Sequence, residues 1–452
     1  MDSAFSGQRV LVVGMARSGL AAGKLLLALG AHVVLSDARA AVEGVDELMT
    51  LGAVAELGQD GADLLPGCDC MVVSPGVPLD APVIQNAQML GVRILSELAL
   101  AAGQLSGETI AVTGTNGKTT TVTLIGEMLK NAGKPTRIAG NIGLALSAVA
   151  LDTKPEDYTV IEVSSFQMEH PGDFHPHIAV MLNLTPDHLN RHGTLEAYGA
   201  TKARMWQQQG KRDVFVYNAD DPFCRAEAAK AKAHTVPFSR TRRLRRGAWA
   251  DEGQIWLEGR ALCHVEELLL PGPHNLENAL AAAAVAGELG IPPVVIRHTL
   301  RSFRGVEHRM ETVRVLDGVT WINDSKGTNP DASIRAVQGM TVPTVLIAGG
   351  YDKQTPFDAL AGAVAQNKAM RAVVLIGKTA GQIRGALEAA GFTACHEMGM
   401  DFEAALQKAR TLAVPGGAVL LSPACASFDM FKDYEERGRR FKALVQKMEA
   451  QP

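Results

Sequence analysis

The sequence lacks cysteine pairs with CxxC spacing, and it lacks a net positive charge. Each absence argues against particular classes of metal-binding, redox or polyanion-binding protein. Its 452 residues include six cysteines without CxxC spacing, which argues against a zinc knuckle, a thioredoxin-like motif and a disulfide framework. The net charge of −4 supplies no positive field that could hold nucleic acid or an anionic membrane. We therefore expect small-molecule partners, and no nucleic-acid or membrane partner.

Long hydrophobic runs are also missing. No apolar run approaches the ~18 residues that a membrane span needs. The first residues, MDSAFSGQRV, lack the basic region of a signal peptide and lead at once into a strand pattern. These features predict a cytoplasmic protein.

The chain is long enough for several domains. At 452 residues it exceeds a single typical core, and strand and helix patterns alternate along it, restarting near residues 98 and 306. This alternation is typical of α/β domains with parallel sheets. We predict three α/β domains: a Rossmann-like N-terminal domain (1–98), a central P-loop-type ATPase domain (99–305) and a C-terminal Rossmann-like domain (306–452).

A strand, a glycine-bracketed loop and a helix follow one another in residues 108–130. The loop offers backbone N–H groups, the charge of Lys118 and the hydroxyl of Thr119, which could reach Mg²⁺. Val112 stands where the general GxxxxGK[ST] pattern has its first glycine. The pattern indicates a nucleotide-phosphate loop, and a plain strand-to-helix turn remains the alternative.

The N-terminal domain opens like a dinucleotide-binding unit, with Asp37 about 20 residues beyond its loop. Ala16 occupies the middle glycine position of that loop, and its methyl group would hinder the close approach of a pyrophosphate. The pattern therefore favours a nucleotide or sugar nucleotide held in another way over NAD. The turn Pro75–Pro78 ends another buried strand and is either a plain turn or part of the same crevice.

The central domain contains further candidate residues. Glu162 ends a buried strand, where a carboxylate beside a phosphate loop could hold Mg²⁺. His188 and His192 lie four apart like zinc ligands, but Leu189 stands where a zinc protease has its general base, which disfavours a zinc hydrolase. Lys202 lies on a predicted helix, where an isolated lysine is usually solvated.

Three later stretches are more ambiguous. Asn275 and Asn278 open an Ala-rich helix predicted over 276–290, and Asn275 is either its N-cap or an adenine contact. The basic run Arg240–Arg246 is predicted to be an exposed hairpin or loop rather than a nucleic-acid contact. In the third domain, polar loops follow several strands and together predict one crevice.

A set of motifs occurs in one order along the chain: TGTNGKTT, NLTPDHLNRHG, a lysine on the next helix, HN…N at a helix start, EHRME and DSKGTNP. Together they resemble the Mur ligases, the ATP-dependent amino-acid-adding enzymes of peptidoglycan precursor synthesis, over essentially the whole chain. The motifs GMARSG, SPGVPLDAP and LSPACASFDMFKDYEERG are similar to those of the family member that adds D-glutamate.

The resemblance implies a reaction and its cofactors. The chain is expected to join D-glutamate to UDP-N-acetylmuramoyl-L-alanine with ATP, through an acyl phosphate, as a monomer with two Mg²⁺ sites and a carbamate on Lys202. A sibling amide ligase that adds another amino acid is the nearest alternative. An NAD-dependent dehydrogenase and a non-catalytic nucleotide-binding module are alternatives from other classes.

The resemblance also implies the roles of individual residues. The expected ATP contacts are Gly114, Thr115, Asn116, Gly117, Lys118, Thr119, Thr120, Asn275, Asn278, Arg309, Asp324 and Lys326. The expected contacts of the UDP substrate are Arg17, Ser18, Asp37, Ala38, Arg39, Gly76, Asn141 and His188. Those of D-glutamate are Thr328, Lys353, Ser427, Phe428 and Tyr434. Thr119, Glu162, His188 and carbamylated Lys202 would hold metal, and Lys118, His188 and Lys202 would be catalytic. Tyr351 departs from the family pattern, in which an acidic residue is expected.

Overall fold

The computed structural model describes residues 4–270, 272–351 and 356–450, and the chain divides into two compact units between Phe303 and Arg304. The first unit contains two sheets and the second contains one. Parallel pairing predominates in all three, and helices connect most successive strands. The predicted α/β class with three sheet-based modules is therefore confirmed, whereas the boundary near residue 98 stays a prediction.

The first sheet has five parallel strands in the order β3-β2-β1-β4-β5. Its strands are β1 (Arg9–Val13), β2 (His32–Asp37), β3 (Val54–Leu57), β4 (Cys70–Val73) and β5 (Arg93–Ser96), and its helices are α1 (Arg17–Ala28), α2 (Val45–Thr50), α3 (Pro82–Leu90) and α4 (Glu97–Ala102). Val12 and Val13 belong to different apolar clusters, so the sheet is buried on both faces. The strand order reverses between β1 and β4, and such a switch point leaves a ligand crevice at the carboxyl ends of the strands.

The second sheet has nine strands in the order β14-β13-β12-β11-β10-β9-β6-β8-β7. Its strands are β6 (Glu108–Thr113), β7 (Thr136–Gly140), β8 (Tyr158–Glu162), β9 (Ile178–Met181), β10 (Val214–Asn218), β11 (His234–Ser239), β12 (Ala248–Asp251), β13 (Gln254–Leu257) and β14 (Arg260–His264). The associated helices are α5 (Lys118–Asn131), α6 (Leu189–His192), α7 (Leu195–Gln207), α8 (Pro222–Ala228), α9 (Pro273–Glu288) and α10 (Pro293–Ser302). Alanine makes up much of the buried face of α9, and the helix packs against α5 in one apolar cluster. Strand β6 pairs with β8 on one side and β9 on the other, so the loop after β6 lies near the middle of the sheet.

The third sheet forms the second unit, in the order β15-β16-β20-β17-β18-β19. Its strands are β15 (Glu311–Leu316), β16 (Val319–Asn323), β17 (Thr344–Gly349), β18 (Met370–Ile376), β19 (Cys395–Glu397) and β20 (Ala418–Leu421). Its helices are α11 (Pro330–Gln338), α12 (Asp358–Gln366), α13 (Ala380–Ala389), α14 (Phe402–Leu412) and α15 (Tyr434–Lys447). Strand β15 alone is antiparallel to its neighbour among the described pairs. Parallel β16, β17 and β20 bring three polar loops to one edge of the sheet.

The basic run Arg240–Arg246 connects β11 to β12. These two strands pair in parallel, so the loop interpretation is confirmed and the hairpin interpretation is wrong. None of the helices in the described part of the chain combines the length and apolar character needed to cross a bilayer.

All six cysteines are free thiols, and five of them are buried. Burial raises the pKa of Cys70 to about 11, so this thiol remains protonated and behaves as a small apolar side chain. The free thiols agree with the sequence, whose cysteine spacing argued against a disulfide framework.

Candidate active site

The predicted phosphate loop lies between β6 and α5. Gly117 is the N-cap of α5 and has a left-handed backbone with φ of 87°, and a Cβ at this position would collide with the side-chain oxygen of Asn278. The Lys118 Nζ donates to the carbonyl oxygens of Gly114 and Thr115, both at 2.9 Å. These contacts place an ammonium group and the N-terminus of a 14-residue helix at one loop, an arrangement that attracts phosphate.

The loop after β9 clamps the phosphate loop from one side. Asn183 accepts a hydrogen bond from the backbone N–H of Asn116 at 2.9 Å through its side chain, and its carbonyl accepts one from Thr115 N–H at 3.0 Å. The Thr115 hydroxyl donates to the carbonyl oxygen of Thr185 at 3.1 Å. Asn183 was not predicted as a site residue, although its position within NLTPDHLNRHG is a sequence signal that could have identified it.

Glu162 ends β8 beside the loop and is 2% exposed. Its two carboxylate oxygens accept hydrogen bonds from different predicted residues: the Thr119 hydroxyl at 2.7 Å and the Asn141 side-chain amide at 2.9 Å. The strand register places Glu162 between Val112 of β6 and Gly140 of β7. The residues that follow these two strands, Thr119 and Asn141, can therefore both reach the Glu162 carboxylate. A carboxylate and a hydroxyl side by side form the type of oxygen donor set that Mg²⁺ prefers, so these residues fit a metal ligand role.

Lys202 on α7 is 1% exposed, so the interpretation as a solvated lysine is wrong. Its Nζ donates to the Gly114 carbonyl at 3.1 Å and to the Thr113 hydroxyl at 3.4 Å, and it lies 4.5 Å from the ring centroid of Tyr198. Burial and the positive charge of Lys118 hold the pKa of Lys202 well below its usual range. An amine of lowered pKa is nucleophilic at neutral pH.

His188 and His192 lie on either end of the short helix α6. His188 is the left-handed N-cap residue, with φ of 53°, and its ring lies 4.8 Å from that of Phe166. The His192 Nε2 lies 3.0 Å from the Ser165 hydroxyl. Within residues 4–270, 272–351 and 356–450, no three His, Cys, Asp or Glu side chains cluster as metal ligands. The metal-ligand role that the resemblance implies for His188 and Lys202 therefore stays a prediction.

The two asparagines of α9 differ in position. The helix starts at Pro273 with Gly272 as its N-cap, so the interpretation of Asn275 as the N-cap is wrong. Asn275 is half-buried in the first turn, and its adenine contact stays a prediction. Asn278 is 5% exposed and accepts a hydrogen bond from Thr121 of α5 at 3.3 Å. Asn278 therefore supports the helix that carries the phosphate loop.

Six of the residues predicted to hold the UDP substrate end or follow β1, β2 or β4 of the first sheet, whereas Asn141 and His188 lie on loops of the second sheet. Arg39 donates through two nitrogens to Asp37, to Oδ1 and Oδ2 at 2.8 Å each, and the Met15 N–H donates to Oδ2 at 2.7 Å. The hydrogen bonds from Arg39 lower the pKa of Asp37 to about 2, so the carboxylate is ionised at neutral pH. Arg17 and Ser18 form the first turn of α1, Ala38 follows Asp37, and Gly76 is exposed in the turn after β4.

Most of the predicted residues of the second unit that the structure describes follow β16 or β20, whereas Arg309 precedes β15 and Tyr434 is the first residue of α15. Asp324 is 6% exposed and accepts a hydrogen bond from the Ser422 hydroxyl at 2.7 Å, and burial raises its pKa to about 6. Ser427 is buried, and Lys326, Thr328 and Tyr434 are half-buried. Arg309 and Phe428 are exposed, whereas Lys353 lies outside the described residues.

A buried arginine that the sequence did not single out organises this edge. Arg437 is 1% exposed and donates to the Ser325 hydroxyl at 2.9 Å, the Ser325 carbonyl at 2.8 Å and the Cys425 carbonyl at 3.1 Å. Burial lowers its pKa to about 10, so the guanidinium stays charged at neutral pH. It connects the loops that carry Lys326 and Ser427. Its place in the motif KDYEERG is the signal that sequence reasoning overlooked.

Three family models match consecutive parts of the chain: the Mur ligase MurD-like N-terminal domain over residues 8–96, the Mur ligase middle domain over 112–286, and the Mur ligase glutamate ligase domain over 308–425. Two relatives are named UDP-N-acetylmuramoylalanine–D-glutamate ligase. The relative from Caldanaerobacter subterraneus subsp. tengcongensis is 44% identical over 97% of this chain and 98% of its own. The relative from Pelotomaculum thermopropionicum is 46% identical over 98% of each chain.

Solved structures of other Mur ligases have the same fold. MurC from Thermotoga maritima has a TM-score of 0.57 at 22% identity, covering 97% of this chain and 99% of that one. MurF from Thermotoga maritima, solved in complex with ADP, has a TM-score of 0.54 at 20% identity, covering 98% of this chain and 96% of that one. Structural likeness at this identity concerns the fold, whereas the full-length relatives at 44% and 46% identity show the family. The chain belongs to the Mur ligase family.

Proposed function

We propose that this protein is a cytoplasmic ATP-dependent ligase that joins D-glutamate to UDP-N-acetylmuramoyl-L-alanine with release of ADP and phosphate. One observation carries the ligase chemistry: Lys118, Lys202 and the Thr119–Glu162 pair converge on the loop between β6 and α5. The names of the full-length relatives support D-glutamate as the amino acid.

Amide formation needs an activated carboxyl group, because a carboxylate is a poor acyl donor. We infer that the L-alanyl carboxylate attacks the γ-phosphorus of ATP, which forms an acyl phosphate and releases ADP. Lys118 and the N–H groups around Gly117 would stabilise the negative charge on the transferred phosphoryl group. The rest of the loop, including Asn116 and Thr120, would hold the nucleotide phosphates.

The second half of the reaction forms the amide. The uncharged amine of D-glutamate attacks the acyl carbon, and the tetrahedral intermediate expels phosphate. Exclusion of water from the acyl phosphate protects it from hydrolysis. We assign D-glutamate recognition to Thr328, Ser427, Phe428 and Tyr434, whose loops surround the buried Arg437.

We propose two Mg²⁺ ions at this site, as the Thr119–Glu162 pair supports for the first of them. Thr119 and Glu162 would hold one ion, and His188 with a carbamate on Lys202 would hold the other. The carbamate would form from the neutral Lys202 amine and CO₂ with loss of one proton, and the lowered pKa of this lysine supports that step. When bound, Mg²⁺ neutralises phosphate charge and orients the reacting groups.

The NAD-dependent alternative is not favoured by the first-domain crevice. An NAD site uses a free acidic side chain to bind the ribose, whereas both oxygens of Asp37 already accept hydrogen bonds from Arg39. We propose instead that this pair, with Arg17, Ser18, Ala38 and Gly76, holds the UDP part of the substrate.

ADP release from the purified protein tests the proposal. Turnover should require Mg²⁺, UDP-N-acetylmuramoyl-L-alanine and D-glutamate together. A parallel panel should contain L-alanine, L-glutamate and meso-diaminopimelate. Turnover with one of these amino acids at a higher kcat/KM than with D-glutamate would favour the sibling-ligase alternative, and ADP release without any amino acid would contradict the proposed coupling.

A further inference from the structure

Arg191 connects two parts of the first unit that are distant in sequence. It lies on the short helix α6, and its guanidinium binds both carboxylate oxygens of Glu169, with Nε to Oε1 at 2.7 Å and Nη2 to Oε2 at 2.6 Å. The same Nη2 donates to the carbonyl oxygen of Val77 at 2.8 Å. Val77 belongs to the turn after β4, at the crevice of the first sheet. One side chain therefore joins the first-sheet crevice to the loop of the central sheet.

Packing holds the Arg191 guanidinium in one position. The Arg191 side chain is 17% exposed and that of Glu169 is 6% exposed. The Arg191 Cζ lies 4.6 Å from the centroid of the Phe166 ring, which in turn lies 4.8 Å from the ring of His188. A planar, bidentate group of this kind is geometrically specific, and lysine cannot reproduce its contacts.

The two connected parts would bind opposite ends of one substrate. The crevice at the carboxyl ends of β1 and β4 suits a nucleotide, and the loop between β6 and α5 suits the group that is phosphorylated. A molecule that occupies both places has a fixed length, so a small displacement of one relative to the other misplaces the reacting carboxylate. The substrate then cannot make its contacts at both places in full, so its binding weakens.

We infer that Arg191 is a positioning residue that sets the distance between the turn at Val77 and the His188 loop. At this distance the two ends of the UDP substrate, its UDP part and its L-alanyl carboxylate, can bind at the same time. The inference rests on the proposed function. Arg191 acts through its partners: it holds the Val77 carbonyl on one side and the Phe166–His188 contact on the other.

Steady-state kinetics of Arg191→Lys test this role. The variant retains the positive charge beside Glu169 but loses the fork that reaches Val77. We expect the KM for UDP-N-acetylmuramoyl-L-alanine to rise about 10-fold, in proportion to the loss of a charge-assisted hydrogen bond. The KM values for ATP and D-glutamate should stay within about two-fold of wild type, because neither of these ligands spans the Val77 turn and the His188 loop. A general loss of folded protein would instead lower the apparent kcat and leave all three KM values unchanged.

Arg204→Met is the matched control. Arg204 donates to the carbonyl oxygens of Met168 and Glu169, so it contacts the same segment, Phe166–Glu169, that Arg191 binds through Glu169. We expect this variant to leave the KM for the UDP substrate within about two-fold of wild type. Arg191→Met with Glu169→Gln removes both charges together and provides a second test if Arg191→Lys is poorly folded, and it should raise the same KM.

The outcomes separate this inference from the proposed function. If wild-type protein shows no ADP release that depends on D-glutamate, the proposed function fails. If wild type is active and the KM for the UDP substrate is unchanged in the Arg191 variants, or rises equally in Arg204→Met, the positioning role is wrong and the proposed function stands. A selective increase confined to the Arg191 variants supports the role.

Discussion

Lys118 and Lys202 donate to the same backbone carbonyl oxygen, that of Gly114, at 2.9 Å and 3.1 Å. Two ammonium groups so close together repel each other, and the buried one loses its charge more easily because burial penalises the charged form. Lys202 is 1% exposed, and its pKa is held well below the usual range, first by burial and then by Lys118. The pair thus combines one fixed cation with one reactive amine.

Lys202→Ala should lower kcat at least ~100-fold, because it removes the group that we propose to become an anionic ligand at the phosphoryl-transfer site. A high concentration of bicarbonate should restore part of the activity. The kinetics should be accompanied by ¹³C NMR with labelled bicarbonate, in which wild type shows a carbamate signal that the variant lacks. Lys211→Ala changes an exposed lysine and is the control. Near wild-type turnover of Lys202→Ala would refute the carbamate role.

Lys118→Ala should also reduce kcat at least ~100-fold, since a preorganised charge donor to the transferred phosphoryl group is lost. Single-turnover ADP formation measures this effect. Lys130→Ala serves as the control because Lys130 lies on the same helix and pairs with Glu127 at the surface. An unchanged rate for Lys118→Ala would show that the loop does not bind the transferred phosphate.

Gly117→Ala should weaken ATP binding at least ~10-fold and lower stability by about 2 kcal/mol, because it adds left-handed strain and a collision with Asn278. Calorimetric titration with ATP and urea unfolding measure the two effects. Gly133→Ala is the matched control: Gly133 also has a positive φ, of 72°, but a Cβ there meets nothing within 4 Å. It should show only the strain, about 1 kcal/mol, with unchanged ATP affinity. Equal effects at both positions would exclude the role of Asn278.

Acidification should weaken the first sheet through Asp37. Its pKa is about 2 in the folded protein and near 3.8 without the structure, so the ion pair stabilises the fold above about pH 4 and this contribution is lost as the pH falls from 4 to 2. Because Arg39 is 59% exposed, we expect only about 1 kcal/mol. Urea unfolding of wild type and Asp37→Asn at pH 7 and pH 3 measures it. The stability difference between the two proteins should shrink at pH 3, and a difference independent of pH would contradict the ion-pair explanation.

Continuous apolar runs mark several of the parallel strands, including β20, all four residues of which are buried. A fully buried parallel strand must be apolar along its length, so its sequence shows it directly. The glycines of the phosphate loop were likewise visible, because Gly117 needs a left-handed backbone that other residues rarely adopt. The order of the motifs led to the family, and the full-length relatives confirmed it.

By itself, then, the sequence determined the α/β class, the phosphate loop and the family, because these depend on local periodicity, backbone requirements and motif order. Only the tertiary structure decided what surrounds each charged side chain. In the sequence alone, Lys202 resembles an ordinary surface lysine, whereas in the structure it is buried beside the Gly114 carbonyl. Arg191 and Arg437 likewise contact residues that other elements of the fold bring to them. Burial and charge pairing arise from residues that the fold brings together, and no local pattern encodes them.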